Sequence, residues 1–203
     1  MWKTVRIMSH DNIAPHCRML IEAMTAASNL VGEDVRKDFL VIGGAALVRY
    51  DSTRRTWDVD SAITAKTLDA FMDKAGMDSR FRTYPDASTC QVEGIENIVV
   101  DIELLDIGGE FVPKLHGMTK FGSIYVASLA DIALMKALAY QDREKADDNE
   151  NLNFALSMMV RRGETFTRYR FKQSEIEVIS EVVETKGDAE AKRLLTQVAG
   201  TAT

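Results

Sequence analysis

The sequence predicts a protein of the α/β class, and three observations support that prediction. Short apolar runs of strand character occur at residues 39–42, 57–63 and 98–107, with the length and composition of buried strands. Segments with helical periodicity lie around them, at residues 13–31 and 64–75. Beyond residue 128 the remaining patterns are helical, so the strands belong to the first two thirds of the chain.

Composition narrows the class of protein further. Of 203 residues, 46% are hydrophobic and 28% charged, which predicts an ordinary folded core. The net charge of -6 argues against a general affinity for nucleic acid, so any such contact needs a local patch. Two cysteines are too few for a disulfide framework, and no apolar run is long enough to span a membrane. We therefore expect a soluble protein of the cytoplasm.

Three segments before the third apolar run carry no candidate site residue. Residues 13–31 place apolar side chains on one helical stripe, typical of a helix packed on a sheet. Residues 64–75 form a second amphipathic helix, with Gly76 placed to end it. Residues 80–94 read as two short strands joined by a turn at Pro85 and Asp86.

The chain is organised around residues 39–60. The apolar run at residues 39–42 is followed directly by Gly43 and Gly44, and then by the helix-forming residues 45–48. A glycine pair at a strand-to-helix turn lets the backbone approach a ligand closely. It also leaves N–H groups at a helix N-terminus, where phosphate is favoured.

Two carboxylates follow on the next apolar run. Asp58 and Asp60 are two residues apart, so in a strand both side chains point to the same face. Adjacent carboxylates repel each other, and a bound divalent cation such as Mg²⁺ is the usual reason for such a pair. A lone pair of this kind is more often a solvated surface feature.

Taken together, these features resemble the nucleotidyltransferase superfamily, which has the polymerase-β-like fold. The resemblance rests on the apolar strand, the Gly43-Gly44 turn and the series Arg54-x-Thr56-x-Asp58-x-Asp60. It implies an α/β (α+β) fold with a short, mixed, twisted sheet flanked by helices. It also implies a catalytic core over residues 1–127 and a helical C-terminal region, residues 128–203, packed on that core as one wall of a cleft.

The third apolar run carries acidic residues as well. Asp101 and Glu103 alternate with apolar neighbours, which is also the pattern of an edge strand with a wet acidic face. In the superfamily that the chain resembles, a later strand supplies a third carboxylate to the metal site. Asp101 matches that position, and Glu103 is the second choice.

A connector and a capped helix follow. Residues 108–122 read as a glycine-rich connector whose Lys114, His116 and Lys120 either line a cleft or are simply solvated. Residues 124–126 form a short strand. Ser128 then caps a helix over residues 129–140, with Asp131 at its third position.

Lys136 is the one charged side chain in the middle of that apolar helix and needs a partner, either a nearby carboxylate or a nucleotide triphosphate. The segment after it resembles an element of AbiEii- and MenT-type nucleotidyltransferases. The resemblance implies that Lys136 contacts phosphates, while Arg143, Lys145 and Asp148 position the nucleotide or brace the cleft. A helix start of mixed charge is also typical of a solvated face.

The C-terminal part contains three helices, at residues 151–160, 173–185 and 189–198. Residues 161–172, between the first two, mix five basic residues with Phe166, Tyr169 and Phe171. Such a basic-aromatic segment can receive an RNA end or another acidic acceptor. Alternatively, its aromatic residues belong to the core and its charges to an exposed helix junction.

The resemblance implies a metal-dependent nucleotidyltransferase that moves a nucleoside monophosphate from an NTP, such as ATP, to an acceptor hydroxyl and releases pyrophosphate. Mg²⁺ or Mn²⁺ would bind Asp58, Asp60 and Asp101, which are also the catalytic residues. The implied nucleotide-binding residues are Gly43, Gly44, Arg54, Thr56, Lys136, Arg143 and Lys145. The acceptor is a small molecule, an RNA 3′ end or a protein side chain.

Two alternatives belong to other classes of function. One is a catalytically silent relative that uses the same cleft for nucleotide binding or regulation. The other is a toxin or antitoxin partner domain. The presence of Asp58, Asp60 and Asp101 favours the enzyme.

Overall fold

The computed structural model describes residues 14–50, 56–85, 87–92, 98–109, 112 and 114–199. Its helices are α1 (Pro15–Leu30), α2 (Gly43–Arg49), α3 (Ala65–Ala75), α4 (Leu129–Arg143), α5 (Ala146–Arg162), α6 (Gln173–Lys186) and α7 (Ala189–Val198). Its strands are β1 (Phe39–Val41), β2 (Asp58–Ile63), β3 (Phe81–Tyr84), β4 (Ala87–Gln91), β5 (Val99–Asp106), β6 (Met118–Phe121) and β7 (Ile124–Ala127). No described helix is long and apolar enough to cross a membrane.

The seven strands form one sheet in the order β3-β4-β5-β2-β1-β7-β6. β2 runs parallel to β5, and β1 runs parallel to β7. The other neighbours are antiparallel. The predicted α/β class with a mixed sheet is therefore confirmed.

The two faces of the sheet differ at β2 and β5. One face presents Val59, Val100, Ile102 and Leu104, all buried, and α1 packs against these strands. Phe71 of α3 lies between Phe39 and Phe81, with ring centroids 5.4 and 6.1 Å away. The opposite face carries the acidic residues, because side chains alternate along a strand.

The C-terminal helices complete the core. α4 packs against α5 and α6, α5 packs against α7, and α2 contacts both α4 and α5. The buried apolar side chains form one cluster that runs from Met19 to Val198. The sheet and the C-terminal helices therefore share a single hydrophobic core.

The structure departs most from the predicted elements in one strand that was missed and one helix that begins earlier than predicted. The connector at residues 108–122 contains a strand, β6, which pairs with β7 across a two-residue turn at Gly122 and Ser123. α5 begins at Ala146 rather than at residue 151, and this first turn includes the buried Asp148. The predicted turn residue Asp86 lies outside the described residues.

The basic-aromatic segment, residues 161–172, connects α5 to α6 and places aromatic side chains in the core. Phe166 and Phe171 are buried, and the Tyr169 hydroxyl donates a hydrogen bond of 3.0 Å to Glu164. Arg162 forms an ion pair with Glu164 at 2.8 Å. The interpretation of its aromatic residues as core residues is confirmed for both phenylalanines.

Candidate active site

The pairing of β2 with β5 sets four carboxylates on one face of the sheet. Asp58 lies opposite Asp101, and Asp60 lies opposite Glu103. Residues directly opposite in neighbouring strands have side chains on the same face. The two acidic residues of β5 therefore lie on the same face as the two of β2, with Asp101 next to Asp58 and Glu103 next to Asp60.

The strand-to-helix turn at Gly43 and Gly44 packs directly against this carboxylate face. Gly43 has a φ of +64°, a conformation that glycine adopts easily and other residues rarely. A Cβ atom at Gly43 would collide with the Asp60 carboxylate, and one at Gly44 would lie 3.0 Å from the Thr56 hydroxyl oxygen. Gly43 thus allows the close approach of α2 to β2, and Gly44 allows a close approach to Thr56, which precedes β2.

Thr56 also orients the first carboxylate. Its hydroxyl donates a hydrogen bond of 2.7 Å to Oδ1 of Asp58. This bond holds one of the two carboxylate oxygens of Asp58 in place. The residue predicted to bind nucleotide therefore acts here on a predicted metal ligand.

The electrostatic state of Asp60 follows from crowding. Desolvation by burial, together with the charges of Asp58 and Glu103, raises the pKa of Asp60 to about 7. The charge of Lys136 acts in the opposite direction. Burial disfavours the ionised form of this carboxyl group, and each nearby anion disfavours it further.

Lys136 and Arg143 converge on one buried carboxylate. Asp148, whose side chain is 2% exposed, accepts a hydrogen bond of 2.9 Å from Lys136 Nζ. It also accepts bonds of 2.6 and 2.9 Å from Nε and Nη2 of Arg143. Burial alone would raise the pKa of Asp148, but these bonds outweigh it and lower the pKa.

This cation cluster, Lys136 and Arg143 with Asp148, lies within electrostatic reach of the carboxylates. The pKa of Arg143 is raised chiefly by its hydrogen bond to Asp148, and the charge of Asp60 adds to that effect. Lys136 in turn acts on Asp60. The partner that the largely buried lysine on α4 requires is thus Asp148, while the charge of this lysine also acts on Asp60.

Other predicted residues lie elsewhere. Lys145 is exposed at the start of α5, and Arg54 lies outside the described residues. His116 does not line a cleft: its ring is 2% exposed, lies 3.0 Å from Asp131 and stacks on Phe171 with centroids 4.1 Å apart. The reason is packing, since this ring fills the junction between the connector and the C-terminal helices.

The donor atoms suit a hard cation. Carboxylate oxygens are the ligands that Mg²⁺ and Mn²⁺ prefer, and burial, followed by the charges of Asp58 and Glu103, raises the pKa of Asp60 among them. Within the described residues, no three His, Cys, Asp or Glu side chains are already arranged to enclose an ion. The residues present fit a divalent cation in chemistry.

Comparison with solved structures supports the fold. An antigenic nucleotidyltransferase-like protein from Paracoccidioides brasiliensis matches with a TM-score of 0.59 at 16% identity, over 87% of this chain and 93% of that one. JHP933 from Helicobacter pylori matches with a TM-score of 0.51 at 14% identity, over 92% of this chain and 90% of that one. At these identities the likeness concerns the fold alone.

Comparison of sequences identifies the family. No curated protein matches the chain, but a family model described as "Nucleotidyltransferase of unknown function (DUF6036)" matches residues 18–159. The match spans α1 to α5 and includes the carboxylates, the glycine pair and the cation cluster. The predicted membership of the nucleotidyltransferase superfamily is confirmed, and this chain belongs to the family of nucleotidyltransferases of unknown function.

Proposed function

We propose that this protein is a metal-dependent nucleotidyltransferase that moves a nucleoside monophosphate from an NTP to an acceptor hydroxyl and releases pyrophosphate. The observation that supports the proposal is the carboxylate face of β2 and β5, which stands beside a glycine turn and the cation cluster. In this proposal the carboxylates bind the metal ions, and the glycine turn and the cation cluster bind the nucleotide. The division into a catalytic core, residues 1–127, and a helical region, residues 128–203, belongs to the same proposal.

The carboxylates hold the divalent ions. Asp58 and Asp60 provide the ligands on β2, and Asp101, with Glu103 as the alternative, provides the third on β5. When bound, Mg²⁺ or Mn²⁺ offsets phosphate charge and lowers the pKa of the acceptor hydroxyl. Thr56 keeps Asp58 oriented through its hydrogen bond of 2.7 Å, so the first ligand is positioned before any ion arrives.

The cation cluster and the glycine turn bind the donor nucleotide. Lys136 and Arg143 carry two positive charges against the single charge of Asp148, so the cluster retains a net attraction for the triphosphate. Gly43 and Gly44 let the backbone approach the phosphates. Lys145 and Arg54 are also proposed to contact the nucleotide.

The transfer step balances without a further reactant. The acceptor oxygen attacks the α-phosphorus, the bond from that phosphorus to the bridging oxygen breaks, and pyrophosphate leaves. The hydroxyl proton passes to the carboxylate of Asp101, which can act as a general base. Asp101 is exposed on its face of the sheet, as contact with an acceptor requires.

Calorimetric titration with ATP, GTP, CTP and UTP, each with and without Mg²⁺, tests the proposal. We expect Mg²⁺-dependent binding of at least one nucleotide, and at least a tenfold loss in Asp58→Asn. Asp106→Asn removes an exposed carboxylate at the end of β5 and should bind as the wild type does. Folded protein that binds none of the four nucleotides would contradict the proposal and would support a catalytically silent relative that uses the cleft for regulation rather than for nucleotide binding.

A further inference from the structure

The carboxylate face continues beyond β5 to the edge of the sheet. Thr89 of β4 lies opposite Asp101, and Arg82 of β3 lies opposite Thr89. Tyr84 lies opposite Ala87, which lies opposite Glu103. Direct partners share a face, so Arg82 and Tyr84 stand on the same face as the proposed metal ligands.

This outer face is open, whereas its reverse side is covered. Tyr84 is 50% exposed and Val99 is 54% exposed, and Arg82 and Gln91 are exposed as well. On the reverse side Phe81, Cys90 and Val100 are buried, with α1 against β4 and β5 and α3 against β3. We name the open side, residues Arg82, Tyr84, Thr89, Gln91 and Val99, the outer sheet face.

Its chemistry is specific. Tyr84 and Val99 expose their side chains at opposite ends of this face, and an exposed aromatic ring on a strand is a platform for stacking a base. Arg82 forms no ion pair with a described residue, so its guanidinium is available to an anion such as a phosphate. Thr89 adds a neutral hydrogen-bonding group between Arg82 and Asp101, and Gln91 adds another opposite Val99, at the far end of β4 from Tyr84.

We propose that the outer sheet face binds the 3′-terminal nucleotides of a single-stranded nucleic acid, which is then the acceptor. The inference rests on the proposed function and names its acceptor class. The terminal 3′ hydroxyl lies at Asp101, and the preceding nucleotide crosses β4 to reach β3, two strand spacings or ~10 Å away. Its base stacks on Tyr84, and its phosphate contacts Arg82.

The charge of the chain explains why such binding is local. A net charge of -6 repels a polyanion from most of the surface, so contact is confined to the chain end. The carboxylates on β2 and β5 repel phosphate until cations neutralise them. Binding of the nucleic acid should therefore require Mg²⁺.

The test measures fluorescence anisotropy of a 5′-labelled, single-stranded RNA of about ten nucleotides in Mg²⁺. The double variant Arg82→Ala/Tyr84→Ala should bind at least tenfold more weakly, as expected for loss of one stacked base, with binding of Mg²⁺–NTP unchanged. The same oligonucleotide with a 3′-terminal phosphate should bind more weakly to the wild type. Single-stranded DNA of the same sequence shows whether the 2′ hydroxyl contributes.

A second surface provides the matched control. Arg168→Ala removes an exposed arginine from the basic-aromatic segment, residues 161–172, and should leave RNA binding unchanged. If Arg168→Ala weakens binding and the double variant does not, the outer sheet face is not the acceptor site. If Mg²⁺–NTP binds but no oligonucleotide does, this inference falls and the proposed function stands. Loss of both would overturn the proposed function itself.

Discussion

At the scale of single residues, the glycine turn shows how closely sequence and site are linked. Gly43 and Gly44 predicted a tight turn, and the structure adds the reason: the space of a side chain at Gly43 is occupied by the Asp60 carboxylate. The turn and the metal ligands are thus mutually dependent, because the strand can carry Asp60 here only if the turn carries no side chain.

Gly43→Ala should destabilise the protein by more than its backbone conformation alone explains. A positive φ costs a non-glycine residue about 1–2 kcal/mol, and the collision with Asp60 adds to this cost. Gly122→Ala is the matched control, since Gly122 has a φ of +63° and nothing within 4 Å of the added Cβ. Urea unfolding of both variants measures the difference, and equal losses would show that Asp60 does not restrict this position.

Asp60→Asn should change how stability depends on pH. An acid with a raised folded pKa binds its proton more tightly when folded, so its contribution to stability falls as pH rises from 3.8 to about 7 and then stays constant. The Asn variant lacks this loss. It should match the wild type near pH 4 and exceed it at pH 8, by at most about 4 kcal/mol and by less after solvent screening.

Denaturant unfolding at pH 4, 6 and 8 measures this gap. Mg²⁺ should narrow it at pH 8, because a bound cation favours the ionised form of Asp60 only in the wild type. Asp106→Asn, at an exposed position, should show no such dependence. A constant difference between Asp60→Asn and the wild type across the three pH values would contradict the crowding described here.

The third metal ligand marks a limit of sequence reasoning at this scale. The alternation along β5 predicted that Asp101 and Glu103 share a face, and their positions in β5 agree. Which of them accompanies which member of the β2 pair depends on strand register, a long-range property that no local pattern contains. The register places Glu103 opposite Asp60 and Asp101 opposite Asp58, and both remain candidates.

At the scale of elements, a helix with strong apolar periodicity was predicted correctly, whereas a short strand and the start of another helix were missed. The predicted helix over residues 189–198 has those same bounds in α7. β6 was read as connector because the segment around it contains glycine, proline and scattered basic residues, although the Gly122-Ser123 pair is a two-residue hairpin signal. The start of α5 was missed because its charges suggested a solvated face, whereas Asp148 is buried by its two cations.

Asp148→Asn tests the link between α4 and α5. Removing this charge leaves Lys136, which is 13% exposed, and the more exposed Arg143 without their shared partner. We expect a loss of about 2–3 kcal/mol, below the usual range for a buried pair because Arg143 is still hydrated. Asp69→Asn removes an exposed carboxylate of α3 and should cost less than about 0.5 kcal/mol.

Thermal unfolding of these two variants also tests the role of the cation cluster. If the triphosphate takes the place of Asp148 as partner, saturating Mg²⁺–NTP should raise the Tm of Asp148→Asn more than that of the wild type. An equal increase in both proteins would mean that the cluster is structural and does not contact the nucleotide.

At the scale of the whole molecule, the composition predicted one ordinary core, and the core is continuous from α1 to α7. The sequence could not show how tightly the helical region is joined to the sheet, because those contacts lie far apart in the chain. His116 illustrates this: its ring lies between Asp131 of α4 and Glu175 of α6, 3.0 and 3.2 Å from their carboxylates. A residue read as a connector side chain thus joins three segments.

A fragment of residues 1–127 should therefore not fold alone, although the proposed catalytic residues of the sheet are all within it. Separation would expose apolar side chains on both sides of the shared core, including Leu47, Val126, Leu129 and Ile132, which are now fully or almost fully buried. We expect the full chain to unfold in one cooperative transition, with equal calorimetric and van't Hoff enthalpies. The fragment should give no cooperative transition and no near-ultraviolet circular dichroism. A cooperative transition in the fragment would mean that the helical region is an appended domain, and that the cleft wall it forms can move independently of the carboxylates.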